Sequence, residues 1–194
     1  MRRVCGNILL LLGLFMLIYP FLGRLEAFSW QVSLEEPTIT SDFKEGQVMR
    51  EKPSVPVLDK AAEQATATIE IPRLKVSAML VYGTSREQLK KGPGFYEESP
   101  LPYEEGANVL IAGHRTTYGA WFRHLDSLEA GDEISLYVGG KRYLYRVEKV
   151  FSVAKDDWSV TDPVGYSVLT LTTCHPPGSA RERLVVRARL VRCQ

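Results

Sequence analysis

The sequence predicts an all-β domain, a closed barrel or a sandwich, carried behind an N-terminal membrane span and a polar stalk. Three observations predict it. From residue 66 onward, short runs rich in Val, Ile, Leu, Thr and Tyr are separated by Gly, Pro, Asn and Asp, the pattern of strands joined by turns. Seven or eight such strands in the remaining stretch of about 130 residues bury their apolar faces by closing on themselves or on a second sheet. Before them, residues 4–23 form 20 consecutive positions without a charge.

In chain order, the strand runs are 67–71, 76–81, 108–112, 133–138, 142–151, 168–173 and 184–191. Gly139 and Gly140, between two of them, are a two-residue hairpin signal. Two short helices interrupt the series. Thr84 and Glu87 are spaced as a capping box, and Gly92 with Pro93 supplies a stop after Lys91. The second helix is expected over 120–128, where Trp121, Leu125 and Leu128 share a face as core residues and Gly131 follows.

The uncharged 20-residue stretch, as a helix rising ~1.5 Å per residue, spans the ~30 Å hydrocarbon layer of a bilayer. A cleaved signal peptide fits less well, since its apolar region is ~7–15 residues ahead of a small-x-small site, and Arg24, Leu25 and Glu26 make a poor one. Arg2 and Arg3 precede the span and only Arg24 closely follows it, so the N-terminus is expected in the cytoplasm and the rest outside the cell membrane. Residues 29–65 are polar, with Pro37, Pro53 and Pro56 and no sustained period, and read as a flexible extracellular stalk. The expected organisation is therefore 1–28 tip and anchor, 29–65 stalk, 66–194 strand-rich working domain.

With 24 Lys and Arg against 23 Asp and Glu, the formal charge is +1, too small a field to draw the protein onto nucleic acid. The three cysteines form no disulfide framework, because Cys5 lies in the apolar segment and Cys193 is the penultimate residue. No Cys/His metal cluster, phosphate-binding glycine loop or nucleotide fingerprint is present, so neither a metal nor another cofactor is expected. The acids Glu97, Glu98, Glu104 and Glu105 cluster on loops, where such groups are usually solvated, and they do not establish a calcium site.

That leaves Cys174 to explain. In VLTLTTC, residues 168–174, alternation puts Leu169 and Leu171 on one face and Thr170, Thr172 and Cys174 on the other, so the thiol closes a polar face just before Pro176, Pro177 and Gly178. A packed thiol would sit among the leucines instead. In the final run the even positions Leu184, Val186, Ala188 and Leu190 are apolar, whereas Arg183, Arg187 and Arg189 are charged; Arg183 opens the polar face, while Arg181, Arg187, Arg189 and Arg192 read as solvated strand charge. If the two strands pair through the Pro-Pro-Gly loop, Arg183 comes near the sulfur. His114 ends the run NVLIAGH, and periodicity does not decide between a loop, a core or a proton-carrying role. His175 adjoins the thiol but points to the opposite face of an extended chain, and it stays a rival. A thiolate, an imidazole to move its proton and a fixed cation for the oxyanion are what attack on a carbonyl needs.

TLTTC at 170–174, RLVVRARL from Arg183, AGHRT from Ala112 and IEIPRLKV at 69–76 together resemble the sortase family over residues 66–192. The resemblance implies an eight-stranded sortase β-barrel with catalytic His114, Cys174 and Arg183. It implies a membrane-anchored transpeptidase that cleaves a C-terminal sorting signal through a Cys174 thioester, which an amine of the cell wall, on a peptidoglycan cross-bridge or its lipid-linked precursor, resolves. Tyr118, Thr172 and Thr173 are the implied substrate contacts, with residues 154–167 lining the signal groove. GHRTTYGAWF and the segment around Cys174 look most like the class E sortases of actinobacteria, which favours an LAXTG-type over an LPXTG-type signal. A pilin-polymerising branch, whose amine is a pilin lysine, is disfavoured because Asp42-Phe43 lacks the proline of the branch's lid motif and the sequence ends at Gln194 without a second span. Two other readings stay open: a surface cysteine protease that only hydrolyses, and an inert tethered barrel in which Cys174 is structural.

Overall fold

In a computed structural model, the structure describes residues 66–194; the apolar segment and the stalk expected before residue 66 lie outside the described residues. Nine strands form one sheet that curls into a nearly closed barrel. They are β1 (Thr68–Ile71), β2 (Val76–Met79), β3 (Val81–Tyr82), β4 (Gly94–Phe95), β5 (Asn108–Ala112), β6 (Glu133–Val138), β7 (Lys141–Ala154), β8 (Val168–His175) and β9 (Glu182–Cys193). Their order is β2-β1-β6-β7-β9-β8-β5-β4-β3, so the two edge strands are consecutive in the chain.

Nine strands replace the expected eight for two local reasons. The run 76–81 is broken at Leu80, whose backbone N–H turns to the carbonyl of Ala67 while Val81 bonds Pro93. The two-residue β4 adds a short rung between β3 and β5. The other runs fall within a few residues of expectation, the largest difference being β7 and β9, which extend past both expected ends to pair antiparallel over their whole length. Gly139 and Gly140 take φ of 58° and 74°, the left-handed pair of a tight hairpin, and Val138 then pairs with Lys141.

Helix α1 (Arg86–Lys91) ends at Gly92 as expected, but its cap is Ser85 rather than Thr84: the Ser85 hydroxyl accepts from Gln88 N–H at 3.3 Å. The second expected helix is absent. Tyr118, Gly119 and Ala120 all have positive φ, and the amides of Ala120, Arg123 and Leu125 bond carbonyls three residues back, so the chain forms successive tight turns ending in a single 3-10 turn at Leu125–Ser127. Its apolar residues still reach the core: Phe122, Leu125 and Leu128 are buried, Trp121 partly so.

The core fills the barrel with Ile69, Ile71, Phe95, Ile111, Leu136, Tyr145, Leu169, Leu171 and Val186, all buried. β8 is buried on both faces from Val168 to Thr173, so its polar face is not a surface as alternation alone suggests. Thr170 donates to Asn108 Oδ1 (2.7 Å), and the Asn108 amide donates to the carbonyls of Val160 and Asp162 (3.0 Å each). Arg187, expected in solvent, is 8% exposed and donates to the same Val160 carbonyl at 2.7 Å. This inner polar layer seats the β7–β8 connection against the barrel, which a period-2 reading of one strand cannot show.

Gly113, just past β5, is required for packing. A Cβ there would lie 2.6 Å from Phe122 Cδ2, so the fully buried Phe122 ring would have to shift. Gly113→Ala is expected to lower unfolding stability by about 1–3 kcal/mol, read as a fall in the thermal midpoint. An unchanged midpoint would show that the ring is free to shift.

Candidate active site

Three adjacent strand ends build the site. β5 and β8 are parallel, with Ala112 opposite Thr172, and Gly113 N–H donates to Thr172 O at 3.1 Å. Two residues beyond that pair come His114, just past the end of β5, and Cys174, still within β8, and both line the same groove. β8 and β9 are antiparallel, with Cys174 opposite Arg183, and directly opposed residues share a face. The order across the barrel end is therefore His114, Cys174, Arg183, with the thiol in the middle.

All three line one groove of about 250 Å³, with Thr84, Leu89, Tyr96, Lys155, Asp157 and Trp158 among its walls. Thr84, displaced from the helix cap, and Tyr96 are wall residues that sequence reasoning did not single out. Tyr96 had a signal only in hindsight: it follows β4, whose pairing with β5 swings its hydroxyl to Thr172 Oγ1, 2.8 Å away. Of the expected 154–167 segment, Lys155, Asp157, Trp158 and Val160 line one wall, with Trp158 63% exposed.

Cys174 is a free thiol, half-buried. The Arg183 guanidinium is held by its own chain: Nη1 donates to Ala180 O (3.3 Å) and Glu182 O (3.1 Å), and the side chain lines the groove. His114 Nε2 is buried without a hydrogen-bond partner among the described residues, which leaves it open to exchange a proton. Burial pushes His114 below its ordinary value, and the positive charge of Arg86 acts in the same direction. Because its pKa is lower folded than unfolded, stability is unaffected by this group above about pH 6.5 and is lost as pH falls from there through the lowered value. Arg86→Gln is expected to raise the His114 midpoint while leaving it below 6.5, since burial is the larger cause; an NMR titration of the ring reads it, and an unmoved midpoint would refute the Arg86 contribution.

The other expected contacts are placed unequally. Thr172 presents its hydroxyl to Tyr96 at the groove, whereas the Thr173 hydroxyl donates to Gly113 O at 2.7 Å and so ties β8 to the chain before His114. Tyr118 packs its ring 5.3 Å from the His114 ring, tilted by 45°, with Lys90 Nζ 5.7 Å over its face. His175, the rival proton carrier, points away from the groove and accepts at Nδ1 from Arg115, 2.7 Å away. His124 is exposed at the start of the 3-10 turn. Among the described residues no group of three or more His, Cys, Asp or Glu side chains converges as a metal site.

A family model for the sortase domain matches residues 69–191. Sortase D of Bacillus subtilis is 35% identical over 132 residues, covering 66% of this chain and 65% of that protein. Sortase SrtE1 of Streptomyces coelicolor is 33% identical over 143 residues, 66% of this chain but only 41% of its own length. The chain thus spans less than two thirds of either relative. The crystal structure of Streptomyces coelicolor sortase E1 with a tripeptide in the active site superposes with a TM-score of 0.65 at 29% identity, covering 69% of this chain and 92% of that one.

Proposed function

The chain belongs to the sortase family, of the class E-like kind, and we propose that it is a membrane-anchored cysteine transpeptidase that joins sorting-signal-bearing proteins to an amine of the cell wall. The observation that carries the reading is the row His114, Cys174, Arg183 along three adjacent strand ends at one groove.

In this reading the Cys174 thiolate attacks the carbonyl at the scissile bond of the signal, forming the S–C bond and moving the carbonyl electron pair onto oxygen. Arg183 donates to that oxyanion from a guanidinium already fixed by its own backbone contacts, so little reorganisation is needed. As the tetrahedral intermediate collapses, His114 gives its proton to the departing amine, and a thioester on Cys174 remains. His114, now neutral, accepts a proton from the incoming amine as that nitrogen attacks the thioester; collapse returns the thiolate and leaves a new amide. The burial that holds His114 below its ordinary value makes its protonated form a stronger acid toward the departing amine and favours the neutral form that the second half needs.

The groove between Tyr96, Thr172 and the 155–167 segment is the seat proposed for the signal. Support comes from the relative whose structure holds a tripeptide in its active site. Tyr118, at the flank of His114, and Thr172 are the proposed signal contacts, with Thr173 acting through its tie to Gly113. The kinship with E-type sortases favours an LAXTG-type signal and the anchoring branch. The apolar stretch 4–23 supplies the anchor, holding the N-terminus in the cytoplasm and the catalytic domain outside, and 29–65 supplies the reach.

The full chain in detergent, given a signal peptide with and without a small amine, tests the transfer. Product carrying the amine supports transpeptidation. Product that only ever carries water makes the protein a hydrolase and overturns the reading.

A further inference from the structure

Beyond Thr172, β8 runs on with no strand beside it on its β5 side among the described residues. The last backbone bond there is Gly113 N–H to Thr172 O, and the amide of Phe122, not of β8's neighbour, takes up the His114 carbonyl. Carbonyls on a strand alternate between its two edges, so Cys174 O, two residues past Thr172 O, faces the same vacated side. The group that meets it is Arg115. Its Nη1 lies 3.4 Å from Cys174 O and 2.7 Å from His175 Nδ1, and its Nη2 pairs with Asp126 at 2.9 Å.

The neighbours alternate in step. His114 and Cys174 face the groove; Arg115 and His175, each the next residue, face away from it. The Arg115 side chain is 2% exposed, whereas Asp126, on the 3-10 turn, is 52% exposed. One buried guanidinium therefore joins three pieces of chain: the residue after His114, the end of β8 and the turn at 125–127. Arginine has donors only, so His175 Nδ1 accepts and the ring is committed on the rear face. Glu182, opposite His175 on β9, is the other charged side chain at this point of the ladder.

We propose that Arg115 is a positioning residue of the transfer reaction: standing where the next N–H of β5 would stand, it holds the end of β8 from behind and keeps Cys174 level with His114. The inference rests on the transpeptidase reading for its consequence, and on the hydrogen bonds for its geometry. It contributes no group to the substrate. Its loss shows in the chemical step, because a misplacement of about 1 Å between nucleophile and proton carrier costs on the order of 10²-fold in rate.

The test compares full-length chain in detergent with Arg115→Lys, Arg115→Gln and Asp126→Asn, measuring kcat and KM with a signal peptide and amine alongside peptide-resolved hydrogen exchange. Arg115→Gln is expected to lower kcat about 10–100-fold with KM within about threefold, and to speed exchange at residues 173–178 while β6 and β7 keep their protection. Lysine, whose one ammonium cannot stand in both for Nη1, toward Cys174 O and His175, and for Nη2, toward Asp126, is expected to rescue only part of kcat. Asp126→Asn, changed at the exposed end of the pair, is expected to move both readouts in the same direction by less, and it decides the matter if the Arg115 variants do not fold. A folded variant with kcat within twofold of the parent, a rise in KM alone, or a kcat loss without faster local exchange would each overturn the proposal. If the unmodified chain transfers nothing, the transpeptidase reading fails separately, and the exchange data alone decide whether Arg115 holds the strand end.

Discussion

Cys174→Ala is expected to abolish acyl transfer and leave the fold intact. The residue is held by its backbone, in register with Arg183 on β9, and its side chain is half-buried at the groove rather than packed in the core. Alanine keeps the Cβ and removes only the sulfur, so the stability change should stay within about 0.5 kcal/mol, as for substitutions away from core packing. The chemical loss is of another order. Without a nucleophile there is no thioester, and removal of a covalent nucleophile in comparable catalytic units costs on the order of 10⁶ in kcat. Peptide turnover with and without amine, beside a thermal melt, reads both halves. Turnover that survives would make the thiol structural and place the catalysis on another group.

Arg183→Ala has the next largest expected effect. The guanidinium suits a charge that exists only in the transition state: Nη1 is fixed on Ala180 O and Glu182 O, and the residue lines the groove with Cys174. Removing one preorganised oxyanion donor costs about 10²–10³ in kcat, equivalent to about 2.7–4 kcal/mol, with a smaller change in KM. Lysine should recover little, because an ammonium on a flexible stem cannot both hold the two carbonyls and meet the oxyanion. A KM rise with kcat unchanged would instead make Arg183 a ground-state contact for the peptide.

These residues were differently legible in the sequence. Alternation in VLTLTTC and in the strand after it was enough to put Cys174 and Arg183 on polar faces, and their opposition in the ladder follows from the short Pro-Pro-Gly connection. His114 was not decided by local pattern. Its place depends on the parallel pairing of β5 with β8, across more than fifty residues of chain, and only the likeness of AGHRT to a known motif pointed to it. The same reason hid Tyr96 and Arg115, whose roles arise from neighbours 76 and 60 residues away.

Where local chemistry competes, the sequence misleads in identifiable ways. Thr84 and Ser85 are both competent caps one residue apart, and the helix takes the second. The spacing of Trp121, Leu125 and Leu128 suits a helix, yet three consecutive positive φ values from Tyr118 to Ala120 wind the chain into turns that bury much the same side chains. Arg187 reads as surface charge because alternation locates a face without saying what covers it; here the 155–167 segment does, and its Val160 carbonyl accepts the guanidinium.

The central claim is that Cys174 carries the acyl group. Mass spectrometry of the intact protein mixed with LAXTG and LPXTG peptides, without added amine, tests it most directly. A mass gain equal to the peptide's acyl portion, mapped to Cys174, absent in Cys174→Ala and discharged by a small amine, is the predicted result. Peptide cleavage with no adduct on Cys174, or an adduct that persists in Cys174→Ala, would contradict it.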